Sequence, residues 1–183
     1  MKELSLNILD LAQNSLTAGA KNVTIEIRES VKEDLLYIRI SDDGSGMDQA
    51  FLSRVTDPFV TTRTTRPVGM GIPFFKMQAE MAQGIFEIKS EKGKGTELWA
   101  TFRLSHVDRL PIGDTAGTML VLIQGSPEVD FVYIRQTDNG KFEFQTEEIR
   151  EALGGIPLGE PEILAWIRDY ITQGEESVMA QKD

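Results

Sequence analysis

The chain predicts an α+β fold: a two-layer α/β sandwich with helices on one face of a mixed, mostly antiparallel sheet, plus a small C-terminal α+β appendage. Three observations lead there. Apolar residues recur at helical spacing near the start, in "LSLNILDLAQNSL". They then alternate in "NVTIEIRES" and "LLYIRISD", and the order helix, two strands, helices, two strands continues to about residue 104. Finally, residues 1–105 hold 14 acidic and 13 basic side chains whereas 106–183 hold 15 and 6, so a division into 1–105 and 106–183 is expected beside the breaker-rich Leu110-Pro111-Ile112-Gly113.

Each element has its own warrant. Leu4, Ile8, Leu11 and Ser15 form the first helical stripe, with Leu9, Ala12 and Leu16 beside it, and Ala18-Gly19-Ala20 ends it. Val23, Ile25 and Arg28, then Leu36, Ile38 and Ile40, give two strands with one buried face, joined through the polar Ser30–Asp34 stretch. A short helix is expected from about Asp48 to Val55, and an apolar one from about Gly71 to Ala82, with Pro73 suited to its first turn. "IFEIKSE" and "ELWATFRL" follow as strands around Gly93-Lys94-Gly95. In the second half, "DTAGTMLVLIQGSP" reads as a buried helix and "VDFVYIRQT" with "KFEFQT" as a hairpin around Asp138-Asn139-Gly140. "TEEIREALG" and "PEILAWIRDYI" read as amphipathic helices, the last with its apolar stripe of Ile163, Trp166, Ile167 and Tyr170 in the core; the polar tail from Gln173 to Asp183 is expected to fray.

Composition removes several function classes. No cysteine excludes disulfides, thiolate metal sites and a cysteine nucleophile, and a single histidine removes multi-histidine metal sites. A net charge of -10 argues against a general nucleic-acid binder. No stretch approaches a membrane span or a secretory leader, so a cytoplasmic location is expected.

Three stretches could carry chemistry. Asn7, Asp10 and Asn14 share one helix face, which reads first as a solvated one. "DDGSGM", from Asp42 to Met47, follows a strand; it is either a turn or a place where bare backbone approaches a flat ligand beside a carboxylate that accepts a hydrogen bond. An EF-hand fits it badly, because the required acidic positions fall on Gly44 or Met47. "DPFVTTRTTRPVGMGIPFF" leads from Asp57 into a run of 22 residues, 58–79, without a carboxylate, and its Gly69-Met70-Gly71 opens into a helix whose N-terminus suits an anion. Neither a GxxxxGK[ST] loop nor a GxGxxG turn is present.

Taken in order and spacing, these stretches resemble the ATPase superfamily shared by gyrase, the heat-shock chaperones, sensor histidine kinases and the mismatch-repair protein MutL, over roughly residues 5–104. "ILDLAQNSLTAGAKNVTIEI" is similar to the N box, "DDGSGM" to the G1 box, "DPFVTTR" to the F box of histidine kinases, "GMGI" to the G2 box and "GKGT" to the last glycine box. The resemblance implies ATP and Mg²⁺ as ligands. Asn14 would ligate the metal, and Asp10 stands where gyrase and MutL carry a water-activating glutamate. Asp42 would meet the adenine amino group, Gly46 would approach the ring closely, and Gly44 and Met47 belong to the same box. Phe59, Thr61, Thr62 and Arg63, then Gly69, Gly71 and Ile72, and finally Thr96 complete the implied nucleotide site.

Departures from the pattern narrow the expectation. Aspartate at position 10 is one methylene shorter than glutamate, so a second role beside the metal is open to it. The short interval between the F and G2 boxes argues against a large closing lid, and no helical hairpin with a phospho-acceptor histidine is expected ahead of the N box. His106, the sole histidine, follows the last strand of the first half and reads as structural. The expected activity is transfer of phosphate from Mg-ATP to a separate protein partner, as by the kinases of this superfamily that lack their own acceptor. The alternative is an ATP-gated interaction module with slow or no hydrolysis; no nucleic-acid or membrane partner is expected, and an oligomer is compatible with either.

Overall fold

The structure, a computed structural model, describes residues 2–57 and 70–179. The chain runs α1 (Leu4–Thr17), β1 (Asn22–Ser30), β2 (Leu35–Asp42), α2 (Gln49–Leu52), α3 (Gly71–Met81), β3 (Phe86–Glu91) and β4 (Gly95–Arg103). It continues through α4 (Thr115–Gly125), β5 (Asp130–Thr137), β6 (Gly140–Gln145), α5 (Thr146–Leu153) and α6 (Pro161–Met179). Among the described residues six strands form one mixed sheet in the order β3-β4-β2-β1-β5-β6, as the α+β reading requires. Every neighbouring pair is antiparallel except β1 and β5, which run parallel with Ile25 opposite Tyr133.

Alternation decides which face is covered. Val23, Ile25 and Ile27 of β1, Leu36, Ile38 and Ile40 of β2, and Leu98, Ala100 and Phe102 of β4 are all buried, and their registers place Ile25 beside Ile40 and Ile40 beside Leu98. Phe131, Tyr133 and Phe144 continue that face across β5 and β6. Over it lie the helices, α3 against β3 and β4, α1 against β2 and both neighbouring helices, and α6 against β5 and β6, with α4 between α1 and α6. One hydrophobic core therefore runs from Phe75 of α3 to Ile171 of α6, crossing residue 105. Losing one of its larger side chains would cost about 3–5 kcal/mol. The opposite face is polar and aromatic: Arg39 donates to Glu26 at 3.0 Å, and the Arg28 guanidinium lies 4.8 Å from the Tyr37 ring centre.

Two local expectations need correction. The tail from Gln173 does not fray within the described residues, because α6 continues to Met179; Glu175 accepts from Thr115 and Tyr133, Val178 is buried, and its carbonyl accepts from Thr137. The stripe on α6 is also narrower than expected. Ile167 and Ile171 are fully buried, while Trp166 and Tyr170 stay 49% and 41% exposed and stack on each other at 5.1 Å.

Candidate nucleotide site

The cleft forms where β2 ends beneath the C-terminal half of α1. A cavity of about 260 Å³ is lined by Leu11, Asn14, Ser15, Thr17 and Ala18 of α1 and its end, and by Ile40, Asp42 and Met47 from β2 and the loop after it. Phe51, Val55, Ile72, Thr96 and Leu98 complete it. Its walls are mostly apolar, and its few polar groups converge, the usual make-up of a small-molecule site.

Asp42 is the best-held of those polar groups. Its Oδ2 accepts from Ser15 Oγ at 2.6 Å, and its Oδ1 accepts from the Gly44 amide at 2.8 Å. A carboxylate has about four lone-pair sites, so two donors fix its plane and leave acceptor capacity. The neighbouring Asp43 does different work. Its carboxylate accepts from the Asn22 side chain at 2.8 Å and from the amides of Lys21 and Asn22, at 2.8 and 2.9 Å, closing the start of β1 onto the end of β2. The Asn22 side chain and those amides hold its pKa below the ordinary carboxylate range.

The glycines of this loop pack against the chain itself. Gly46 has φ +69, and a Cβ there would lie 2.0 Å from the Glu91 carbonyl oxygen; Gly44 is buried with Ala18 at 3.0 Å from where its Cβ would stand. Neither is among the residues lining the cavity. Ser45 donates its amide to Ala18 and accepts from Gly93, and Met47 donates to Ser90 Oγ at 2.8 Å, so the loop is strapped between α1 and the β3–β4 turn. Ser90 Oγ also shares a 2.8 Å hydrogen bond with Thr96 Oγ1, which ties the last glycine box to the same strap.

On α1 the polar stripe is not a solvated face, which corrects the first reading of it. Asn7 is 0% exposed and its Nδ2 donates to the Gly71 carbonyl at 3.2 Å, so the stripe faces the N-terminus of α3. Among the described residues the buried Asn7 Oδ1 atom has no hydrogen-bond partner. Asp10 and Asn14 sit opposite Gly71, whose missing Cβ would be 3.5 Å from Asp10 Cβ and 3.9 Å from Asn14 Nδ2. Burial pushes the Asp10 carboxyl above its ordinary range. At α3 itself the N-cap Met70 supplies no side-chain acceptor, leaving that helix start suited to an anion.

Of the residues singled out from sequence, Asn14, Asp42, Met47, Ile72 and Thr96 line the cavity, while Asp10 and Gly71 face each other at its side. Phe59, Thr61, Thr62, Arg63 and Gly69, with the question of a lid, lie outside the described residues. Sequence reasoning did not single out Ser15, Phe51 or Val55 as site residues. Phe51 and Val55 share the amphipathic spacing of a short helix, which was a usable signal; the Ser15–Asp42 bond spans 27 positions and has no local one. His106 accepts from the Asp108 amide through Nδ1, a turn contact. Among the described residues no group of three or more His, Asp or Glu side chains could hold a metal, and no helix is long and apolar enough to cross a membrane.

Known proteins resemble this chain in sequence and in fold. The chain is 35% identical over 89 residues to the sensor protein kinase FleS of Pseudomonas aeruginosa, an alignment covering 49% of this chain and 22% of that protein. It is 33% identical over 96 residues to sporulation kinase E of Bacillus subtilis, covering 52% and 13% respectively. The chain thus spans less than a quarter of the length of these relatives. A crystal structure of the N-terminal domain of a DNA repair protein superposes with a TM-score of 0.53 at 15% identity, covering 79% of this chain and 52% of that one, a likeness of fold. A family model described as "Histidine kinase-, DNA gyrase B-, and HSP90-like ATPase" matches residues 1–106, and the chain belongs to that family.

Proposed function

We propose that this chain binds Mg-ATP in the cleft beside Asp42 and passes its terminal phosphoryl group to a separate protein. The observation that carries the reading is Asp42 itself, oriented by Ser15 and Gly44 on the wall of an apolar slot of about 260 Å³. A flat heteroaromatic ring with an exocyclic amino group fits such a slot, because its faces meet Leu11, Ile40, Met47 and Leu98 and its N–H meets a carboxylate. Family membership and the similarity to two kinases support the choice of ATP.

Asn14 would hold Mg²⁺ through its amide oxygen, with phosphate oxygens and water as the remaining ligands, in keeping with the few carboxylates nearby. When bound, the metal neutralises charge on the β- and γ-phosphate oxygens. The amides opening α3 after Gly71 would face the phosphate chain, and the resemblance assigns Thr61, Thr62, Arg63 and Gly69 to it as well. Asp10, with its acidity weakened by burial, would take the proton of the attacking group as the new bond to phosphorus forms and the bond to ADP breaks.

The test uses γ-labelled ATP with Mg²⁺, the full chain and soluble cell proteins. Label on a second protein, lost with Asn14→Ala, is the expected result. Label released only as inorganic phosphate, or retained on ATP while nucleotide still binds, would replace transfer by an ATP-gated interaction module.

A further inference from the structure

We propose that β6 is a self-pairing edge that joins two copies of this chain about a two-fold axis through Phe142. Among the described residues β6 is the outermost strand beyond β5, and an unpaired edge offers a row of backbone donors and acceptors. The two-residue loop Asp138-Asn139 closes on the pair Thr137 and Gly140, and a loop of that length closes on a hydrogen-bonded pair. Alternation from there turns the backbone groups of Phe142 and Phe144 toward β5. Those of Lys141, Glu143 and Gln145 therefore point away from the sheet.

The side chains choose the register. In an antiparallel pair of identical strands centred on Phe142, Lys141 of each copy lies opposite Glu143 of the other, so both outward-facing pairs combine opposite charges with two backbone hydrogen bonds. Centring one residue to either side would oppose two Lys141 or two Glu143 side chains directly, which is unfavourable. Lys141 and Glu143 already face one another within the strand at 3.5 Å and are exposed, so both are available to a second copy. The strand is thus self-complementary in charge, as a two-fold interface must be.

The other face of the seam supplies apolar surface. Phe142 is half-buried and its ring lies 5.6 Å from Tyr170, on which Trp166 stacks; these two are among the exposed large apolar side chains of the molecule. Gly174 lets the ring reach this position, since a Cβ there would stand 2.2 Å from it. A two-fold at Phe142 brings the two aromatic groups beside each other, and Trp and Tyr are the residues that most often anchor interfaces. The opposite edge, β3, also carries Glu87 and Lys89 two apart, but α2 packs against that strand, and the ring that its Phe86 meets, Phe75, is fully buried rather than exposed.

Sedimentation velocity of the full chain over a concentration series tests this. The wild type is expected to pass from monomer to dimer, and Lys141→Glu or Glu143→Lys alone to weaken the dimer at least about tenfold. The double exchange Lys141→Glu with Glu143→Lys restores opposite-charge pairs and should recover most of the affinity. Lys89→Glu, on the other edge, should change nothing. Both target residues are exposed, and circular dichroism confirms that each variant folds. A wild type that stays monomeric overturns the proposal. So does a dimer indifferent to the single exchanges, one that the double exchange fails to recover, or one broken by Lys89→Glu.

Discussion

The halves on either side of residue 105 use their polar groups in opposite ways. In the first, Asp42, Asn14 and Thr96 line a cavity and retain hydrogen-bonding capacity toward it, held by partners such as Ser15, Gly44 and Ser90. In the second, most polar groups beneath the helices are paired with the chain itself; among the described residues Arg135 is the exception, its Nη2 pairing with Glu29 while its buried Nη1 has no partner. Glu175 binds both Thr115 and Tyr133, burial and that carboxylate push the Tyr133 hydroxyl well above its ordinary range, and Arg150 pairs with Asp130 and donates to two carbonyls. The contrast separates a site from a support: unused valence facing a cavity invites a ligand, whereas saturated valence locks elements together. The second half locks the sheet by adding β5 alongside β1, which would otherwise be an edge with the core behind it.

That support role sets the largest expected effect. Phe131 is buried on β5, and Phe131→Ala should cost about 3–5 kcal/mol. Because one core crosses residue 105, calorimetry should show a single transition moving to lower temperature. Two transitions, only one of them moved, would make 106–183 the separate unit that its charge composition suggests.

Next in size is the strap of the site. Gly46→Ala places a Cβ against the Glu91 carbonyl at a positive φ, and should destabilise by on the order of 3 kcal/mol, more than its nucleotide affinity alone would reveal. Urea titration without nucleotide reads this directly; unchanged stability with lost binding would return Gly46 to the role of a ligand contact.

Asp10 should show the opposite trade. Its folded pKa is raised, so its ionised form is disfavoured by folding above that pKa, and the penalty disappears as pH falls through it. Asp10→Asn is expected to abolish turnover while leaving thermal stability at pH 7 equal or slightly higher. A clear loss of stability would mark Asp10 as structural.

The smallest effect belongs to Asp43. Its folded pKa is lowered, so its contribution is complete above the ordinary value of 3.8 and fades as pH falls through the lower folded one. The side chain is exposed, and Asp43→Ala should cost about 1 kcal/mol at pH 7, with the gap from wild type closing only in strong acid. A gap constant to low pH would mean that its charge is irrelevant.

The elements were legible in the sequence because their signals are local: alternation in β1 and β2, the Asp138-Asn139-Gly140 turn, and glycines before α3. What escaped depends on contacts between distant segments. Asn7 looks solvated on a helical wheel, yet α3 docks on that face and takes its amide through the Gly71 carbonyl, 64 positions away. Likewise, the polar composition from Gln173 onward reads as a frayed tail, and only the folded chain brings Thr115 and Tyr133 to Glu175. In the G1 box the residue types point to a site, and Asp42 and Met47 do line the cavity, but the close approach at Gly46 is to the β3–β4 turn.

The most direct test of the central claim is calorimetric titration of ATP, with and without Mg²⁺, into the wild type and Asp42→Asn. The account predicts binding to the wild type that strengthens with Mg²⁺ and falls by at least about tenfold in a folded Asp42→Asn variant. No heat from a folded wild type at millimolar nucleotide, or equal affinity in the variant, would contradict it.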